Sequence, residues 1–442
     1  MNSLASRVFV FCLLSALTGI TADNRLNGIV SGNAETNHQI HLPGWIRLNR
    51  LFGITIWQDY YLWDDAAGAG ARRMQLPEES RTSSQSSFRS YPGSQTSVLG
   101  TRPYSIALYG KSGFVSRISI VFANKGDIEG LAPGTSIGER KVSRQTRKKA
   151  FKNYKRWIRE DARHIEKTLS SLLGPARSDS FGQGSNQTTE RVRRWDVKNH
   201  SILLASPRDE YVALRIVPDT LADSEGKQAR ISDMALMKQL VGRVKHRPNG
   251  DVIIGDIPMV NQGPKGYCAP ATWERYLRYV GIPADMYVLA MAGNTKAGGG
   301  TYMHELIDNA DRLVRSYGRR LKRISKPAKI RFVSSYIDKG LPLMWLLKIN
   351  PDFYSSIDSR TAERKNVEDW DAWDRSLKPV RREARNIPLD AANSHICMII
   401  GYNKRTGEIA TSDSWGPKYQ ERWMTEEEVL ALSIDEMFLI SW

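Results

Sequence analysis

The sequence predicts an α+β fold, on three observations. Runs of aromatic and β-branched residues with polar interruptions read as strands before residue 135. An uninterrupted stretch from Lys141 to Leu173 has apolar residues at helical spacing. From Asp251 the texture changes to short apolar strands around a helix that is preceded by a glycine-rich loop. The chain has 442 residues, 41% of them apolar and 25% charged, the composition of an ordinary globular protein. At roughly 150 residues per domain, that length corresponds to two or three domains. The expected organisation is a signal peptide over residues 1–22, an accessory α+β domain over 24–220, a connector over 221–250, and a C-terminal domain over 251–442. In the last of these a helix packs on an antiparallel sheet.

The first residues carry Arg7, an apolar run from Val8 to Leu17 and small residues from Gly19 to Ala22. This is the pattern of a secretory signal peptide. The run is short for a transmembrane helix, which needs about 20 apolar residues. The mature protein is therefore expected to be exported, secreted or periplasmic, with Cys12 removed. Within residues 24–220, Gly53–Trp57, Tyr104–Tyr109 and Arg117–Phe122 read as strands. Ser80–Thr101, rich in Ser, Arg, Gln and Gly, reads as a long exposed loop. The helix over 141–173 ends at Gly174-Pro175. Arg177–Thr189 reads as a polar linker. Val192–Val197 and Tyr211–Val217 read as paired strands around a turn at Pro207-Arg208-Asp209. No enzyme motif stands out in this half.

The connector holds a short helix, Ile231–Val244, and a turn at Pro248-Asn249-Gly250. Beyond it Val252–Ile254 and Ile257–Val260 are extended, and Thr272–Tyr279 is a helix closed by Gly281. Leu341–Ile349, His395–Tyr402 and Phe438–Ile440 are strands. Asn350–Asn393 is a long polar insertion before the histidine strand, expected to form a wall or lid of a cleft.

The chemistry concentrates after residue 260. Asn261-Gln262-Gly263-Pro264-Lys265-Gly266-Tyr267-Cys268-Ala269-Pro270 is a glycine-rich loop running into a cysteine that opens a helix. Pro270 suits a first helical turn. A sulfur at the positive end of a helix is favoured as thiolate, the nucleophilic form. A thiolate nucleophile needs a base, and His395 lies on a strand downstream. The imidazole needs an orienting acceptor, and Asp413 in Thr411-Ser412-Asp413-Ser414-Trp415-Gly416 can supply it.

In their order, these residues resemble the papain-like cysteine peptidases. The resemblance makes Cys268 the nucleophile, His395 the catalytic histidine, Asp413 the third member and Gln262 the oxyanion-hole glutamine. Trp415 takes the place of the tryptophan that shields the histidine from water. Papain itself carries Asn where this chain has Asp413. Gln262 followed by Cys268-Ala269-Pro270-Ala271, and His395 followed by an apolar run and Gly401-Tyr402, resemble most the double-glycine-leader (bacteriocin-processing) peptidase-like group. Ala269 stands where that group has Gly, and Tyr267 where an acidic residue is frequent. The resemblance covers residues 251–442 and implies a papain-like C-terminal domain that hydrolyses peptide bonds without a metal or organic cofactor. The same residue set would serve an amidase or transpeptidase acting on cell-wall peptides. A non-catalytic binding protein is the alternative from another class.

Other features are weighed against this reading. Cys397, two residues after His395, shares its strand face and reads as a core thiol; a bridge to Cys268 would silence the nucleophile. His304, after Gly298-Gly299-Gly300, is a rival base. Those glycines lack the Gly-Lys-Ser/Thr ending of a nucleotide loop. The net charge is +17, and the helix from Arg144 to Arg163 is strongly basic. Its charges suit an anionic polymer or membrane surface, while no specific nucleic-acid motif is present. The expected partner is a peptide or protein substrate.

Overall fold

A computed structural model describes residues 44–442 apart from 129–135, 138–139, 142, 184–187, 265–266, 298–299, 350 and 389–392. The expected signal peptide lies outside the described residues. The described residues fall in one compact unit, with two large sheets. The fold is α+β, and every described strand pair is antiparallel.

The N-terminal half opens with helices α1 (Gly44–Phe52) and α2 (Ala67–Arg73). Strands β1 (Glu78–Arg81), β2 (Gln85–Ser90), β3 (Ser105–Lys111) and β4 (Phe114–Asn124) follow. A small ladder pairs β5 (Ser136–Ile137) with β6 (Arg140–Lys141). Next come helix α3 (Arg144–Leu173) and strands β7 (Arg177–Gly182), β8 (Thr189–Val197), β9 (His200–Ala205) and β10 (Tyr211–Pro218). The sheet order is β1-β2-β3-β4-β10-β9-β8-β7. Alternation along β10 explains why all but its last residue are buried. Val212, Leu214 and Ile216 face a core shared with α1, α2 and α3. Tyr211, Ala213 and Val217 face a second core shared with the C-terminal half. Ser143 starts α3 by accepting from Thr146 N–H at 3.1 Å, and Gly174 ends it at φ +81°. The helix buries Tyr154, Ile158, Ile165 and Leu169, leaving its arginines and lysines on the outer faces.

Several expectations are corrected here. Residues 53–57 are not a strand: Asn49 bonds Ile56 N–H, Trp57 N–H and Trp57 C=O, at 2.8, 3.1 and 2.6 Å, and so replaces a ladder partner. The expected exposed loop over 80–101 contains most of the β1–β2 hairpin, in which Glu79, Ser80, Ser86, Ser87 and Arg89 are buried, Glu79 pairing with Arg89 and Ser87. The linker over 177–189 holds β7, docked on β8 through Arg194, which reaches Asp179. The strand 192–197 does not pair with 211–217; β9, unforeseen, lies between them, and the turn at 207–209 joins β9 to β10.

The C-terminal half begins with α4 (Asp219–Asp223), α5 (Asp233–Gly242), β11 (Val244–His246) and β12 (Asp251–Ile254). Helices α6 (Cys268–Tyr279), α7 (Met286–Ala292) and α8 (Met303–Ser316) follow, then β13 (Arg320–Ile324), α9 (Ile330–Ile337) and β14 (Leu343–Ile349). The insertion forms α10 (Pro351–Arg364) and α11 (Trp370–Glu383). Then come β15 (Asn393–Asn403), β16 (Glu408–Ser412), β17 (Arg422–Thr425), α12 (Glu426–Leu432) and β18 (Ser433–Ser441). The sheet runs β11-β12-β15-β14-β18-β13, with β16 and β17 continuing from β15. β11 thus places part of the expected connector in this sheet. From Ala269 to Tyr279 every residue of α6 is buried, polar ones included. Its inner face packs on the sheet through Ala269, Trp273, Tyr276 and Leu277, and Ala271 enters the core shared with the first sheet. Among the described residues no helix is long and apolar enough to cross a membrane.

Leu214, wholly buried at the centre of β10, tests this packing. Leu214→Ala is expected to lower stability by about 2–5 kcal/mol, read as a lower urea midpoint.

Candidate active site

Cys268 is the first residue of α6, where the helix's initial N–H groups have no intrahelical acceptors. The thiol is half-buried and free. Thr272, one turn further on, donates to Ile396 C=O at 3.2 Å, tying the helix start to β15 beside His395. The Cys268 thiol is close enough to the His395 ring to favour its charged form.

His395 Nε2 meets Asp413 Oδ1 at 2.5 Å. Register accounts for this: β16 pairs with β15 so that Ser412 lies opposite Met398, and Asp413 leaves the strand next to the histidine. With Nε2 engaged, Nδ1 is the nitrogen left for the sulfur. The Trp415 ring covers the imidazole, with centroids 4.8 Å apart. His395 is 5% exposed and Asp413 wholly buried.

Burial opposes the charged imidazole. The Asp413 charge, its hydrogen bond and the contact with Cys268 outweigh burial, and the His395 pKa is pushed up to about 9. Burial likewise opposes ionisation of Asp413, but His395, Arg422 and Arg275 hold its carboxyl below the usual range. Arg422, on β17, donates through Nη1 to Asp413 Oδ2 and through Nε to Asp358 Oδ1 at 2.5 Å. Its guanidinium sits against the rings of Tyr354, Trp415 and Tyr419, 4.8, 4.8 and 4.4 Å from their centroids. Arg275, two turns beyond Cys268 on α6, bonds Pro258 C=O at 2.9 Å and Ser412 Oγ at 2.5 Å.

Gln262 is held from both ends. Its N–H donates to Ser414 C=O at 2.8 Å, and the Ser414 hydroxyl donates to its Oε1 at 2.9 Å. That bond uses the amide oxygen and leaves Nε2 to donate elsewhere. His395, Asp413 and Trp415 therefore meet, Gln262 is bonded to Ser414 between the last two, and Cys268 acts on the His395 ring. His304 joins none of these contacts: it is exposed near the start of α8, 3.9 Å from Glu305. Cys397 is free and wholly buried, and burial next to Asp413 drives its thiol pKa well up. The insertion contacts the site through α10, where Tyr354 and Asp358 hold Arg422 and Tyr354 packs on Trp415.

Arg422 and Arg275 were not singled out from the sequence. No spacing rule marks an arginine on a short strand or within a helix as a buried counter-ion.

Residues 254–437 match the model of the Peptidase_C39 like family. That segment resembles a family of cysteine peptidases. It runs from the last residue of β12 into β18, taking in α6, β15 and the Asp413 segment, and leaves residues 44–253 outside the C39-like match. No curated protein matches the chain. Among the described residues, no three His, Cys, Asp or Glu side chains cluster to hold a metal ion.

Two measurements follow from the electrostatics. By ring NMR, His395 should titrate near about 9 and lower in Asp413→Asn, which removes the opposing charge. The folded value lies above the ordinary 6.5, so the pair's contribution to stability is complete below that pH and disappears as pH rises through about 9. Arg422→Met should cost about 3–5 kcal/mol in urea unfolding, because Asp413 and Asp358 lose a shared buried partner.

Proposed function

We propose that the C-terminal half is a cysteine peptidase acting through Cys268, His395 and Asp413, with Gln262 in the oxyanion hole. The observation that carries this reading is a free thiol opening a helix near an imidazole whose Nε2 is held by a buried carboxylate, which leaves Nδ1 for the sulfur. The C39-like match supports the same class.

In this mechanism the Cys268 thiolate attacks a peptide carbonyl carbon, and the C=O electron pair moves to oxygen. Gln262 Nε2 and the Cys268 N–H donate to that oxyanion. The imidazolium at His395 gives its Nδ1 proton to the leaving amine as the C–N bond breaks. This leaves a thioester and a neutral ring. His395 then takes a proton from water, hydroxide adds to the thioester, and collapse releases the carboxylic acid and the thiolate. Asp413 keeps the ring oriented and stabilises its charged form, as the third residue does in related triads. Trp415 excludes water from the His395–Asp413 bond, where a low dielectric strengthens the attraction. The apolar run from Val8 to Leu17 supports export before this activity is exercised.

The test pairs two assays on the full chain. Iodoacetamide alkylation should modify Cys268 quickly near neutral pH and slow sharply in His395→Ala. Turnover of a quenched-fluorescence peptide library should vanish in Cys268→Ser. In Gln262→Ala turnover should fall by about 10²–10³ while alkylation stays at the wild-type rate. Slow alkylation independent of His395, with no peptide cleaved, would sink the reading.

A further inference from the structure

The segment that carries Gln262 is irregular, yet it is bonded along both edges. Successive N–H groups of extended backbone point to opposite sides. On one side Gln262 N–H and side chain go to Ser414. On the other, Met259 and Asn261 take their partners from the N-terminal half. Met259 N–H donates to Ser80 Oγ at 2.9 Å, Asn261 N–H donates to Glu79 Oε1 at 2.7 Å, and Tyr91 OH donates to Asn261 C=O at 2.6 Å. Gly263 follows at φ +79°, and a Cβ there would lie 2.9 Å from the Tyr91 ring. The close approach therefore depends on glycine.

The hairpin is built to make these bonds. β1 is an edge strand with an irregular register between Glu78 and Ser80, which leaves Glu79 unpaired in the ladder. Such a bulge re-aims side chains, and consecutive residues Glu79 and Ser80 are both 3% exposed. The Glu79 carboxylate is saturated by Arg89 Nε at 2.7 Å, Ser87 Oγ at 2.9 Å and the Asn261 N–H, so burying it leaves no charge unpaired. The same half reaches the nucleophile: Tyr267, immediately before Cys268, accepts from Gly126 N–H through its hydroxyl at 3.1 Å, and Arg278 on α6 donates to Gln85 at 3.2 Å.

We infer that the β1–β2 hairpin and Tyr91 belong to the catalytic apparatus. Ser80, Glu79 and Tyr91 are positioning residues that set where Gln262 presents its amide to the oxyanion, an inference that rests on the peptidase reading. The N-terminal half is then a permanent part of the site and not a pro-segment to be discarded, although it lies outside the matched family segment.

Ser80→Ala, Tyr91→Phe and the double variant test this in the full chain, with Ser80→Thr as the conservative rescue. Against quenched-fluorescence peptides, kcat should fall about tenfold in the double variant with KM unchanged, since small misplacements of a catalytic group are costly. Ser80→Thr should recover most of the loss. Iodoacetamide alkylation of Cys268 and its pH profile should stay as in wild type, because alkylation needs the thiolate and not the oxyanion hole. Hydrogen exchange at the Met259 and Asn261 amides should accelerate in the variants, whether or not a substrate is in hand. Unchanged exchange, a kcat within twofold of wild type, or alkylation falling together with turnover would each overturn the inference. If the wild-type chain alkylates quickly yet cleaves no peptide, the peptidase reading fails and the catalytic role falls with it. The exchange data then still decide whether the hairpin holds the segment.

Discussion

The rest of the site depends on one buried carboxylate. Asp413 has no solvent to stabilise its charge, so the charge persists only because the fold brings partners to both oxygens. His395 takes Oδ1 and Arg422 takes Oδ2. The imidazolium is in turn favoured by that carboxylate, against burial. Removing either cation leaves a charge in a low-dielectric interior, where an isolated ion costs far more than its pair returns. The histidine's orientation, its protonation and the tryptophan lid over it all follow from satisfying this group.

That requirement extends outward through the insertion. Arg422 is shared with Asp358 and boxed by three aromatic rings, two of the contacts coming from α10. At the end of the same helix, Arg364 joins Asp251 of β12 to Glu408 of β16 and lies 3.7 Å from the centroid of the Trp423 ring. Arg360 reaches Glu428, which also caps α12. Residues 351–364 thus brace β12, β16 and β17, the last two flanking the Asp413 segment. Buried ion pairs of this kind contribute little net stability, because desolvation offsets the attraction, but each demands a specific geometry.

Helix α6 meets a parallel demand. A helix buried on every side must satisfy its polar residues internally, and α6 carries Glu274, Arg275 and Arg278. Glu274 pairs with Arg278 and accepts from Met286 N–H. Arg275 turns to Ser412, and Arg278 turns to Gln85 in the first sheet. The two halves consequently share a core containing Val121, Tyr211, Ala271 and Tyr287. This is the packing expected where the same helix must face two sheets.

Sequence alone determined what short-range rules govern. The long α3 announced itself by spacing and by Gly174, β14 and β15 by apolar runs, and the helix opened by Cys268 by its glycines and Pro270. Cys268, His395, Asp413, Gln262 and Trp415 were legible because their types, order and local context point to one chemistry. Tertiary structure decided what depends on pairing between distant residues. Polar composition made 80–90 and 177–182 look like loops, whereas Glu79–Arg89 folds the first inward and Arg194–Asp179 helps hold the second as an edge strand. The counter-ion role of Arg422 and the grip of Ser80 and Tyr91 on the Gln262 segment exist only once strands far apart in the chain are placed side by side. A burial pattern is written into local periodicity; the partner of a buried charge is not.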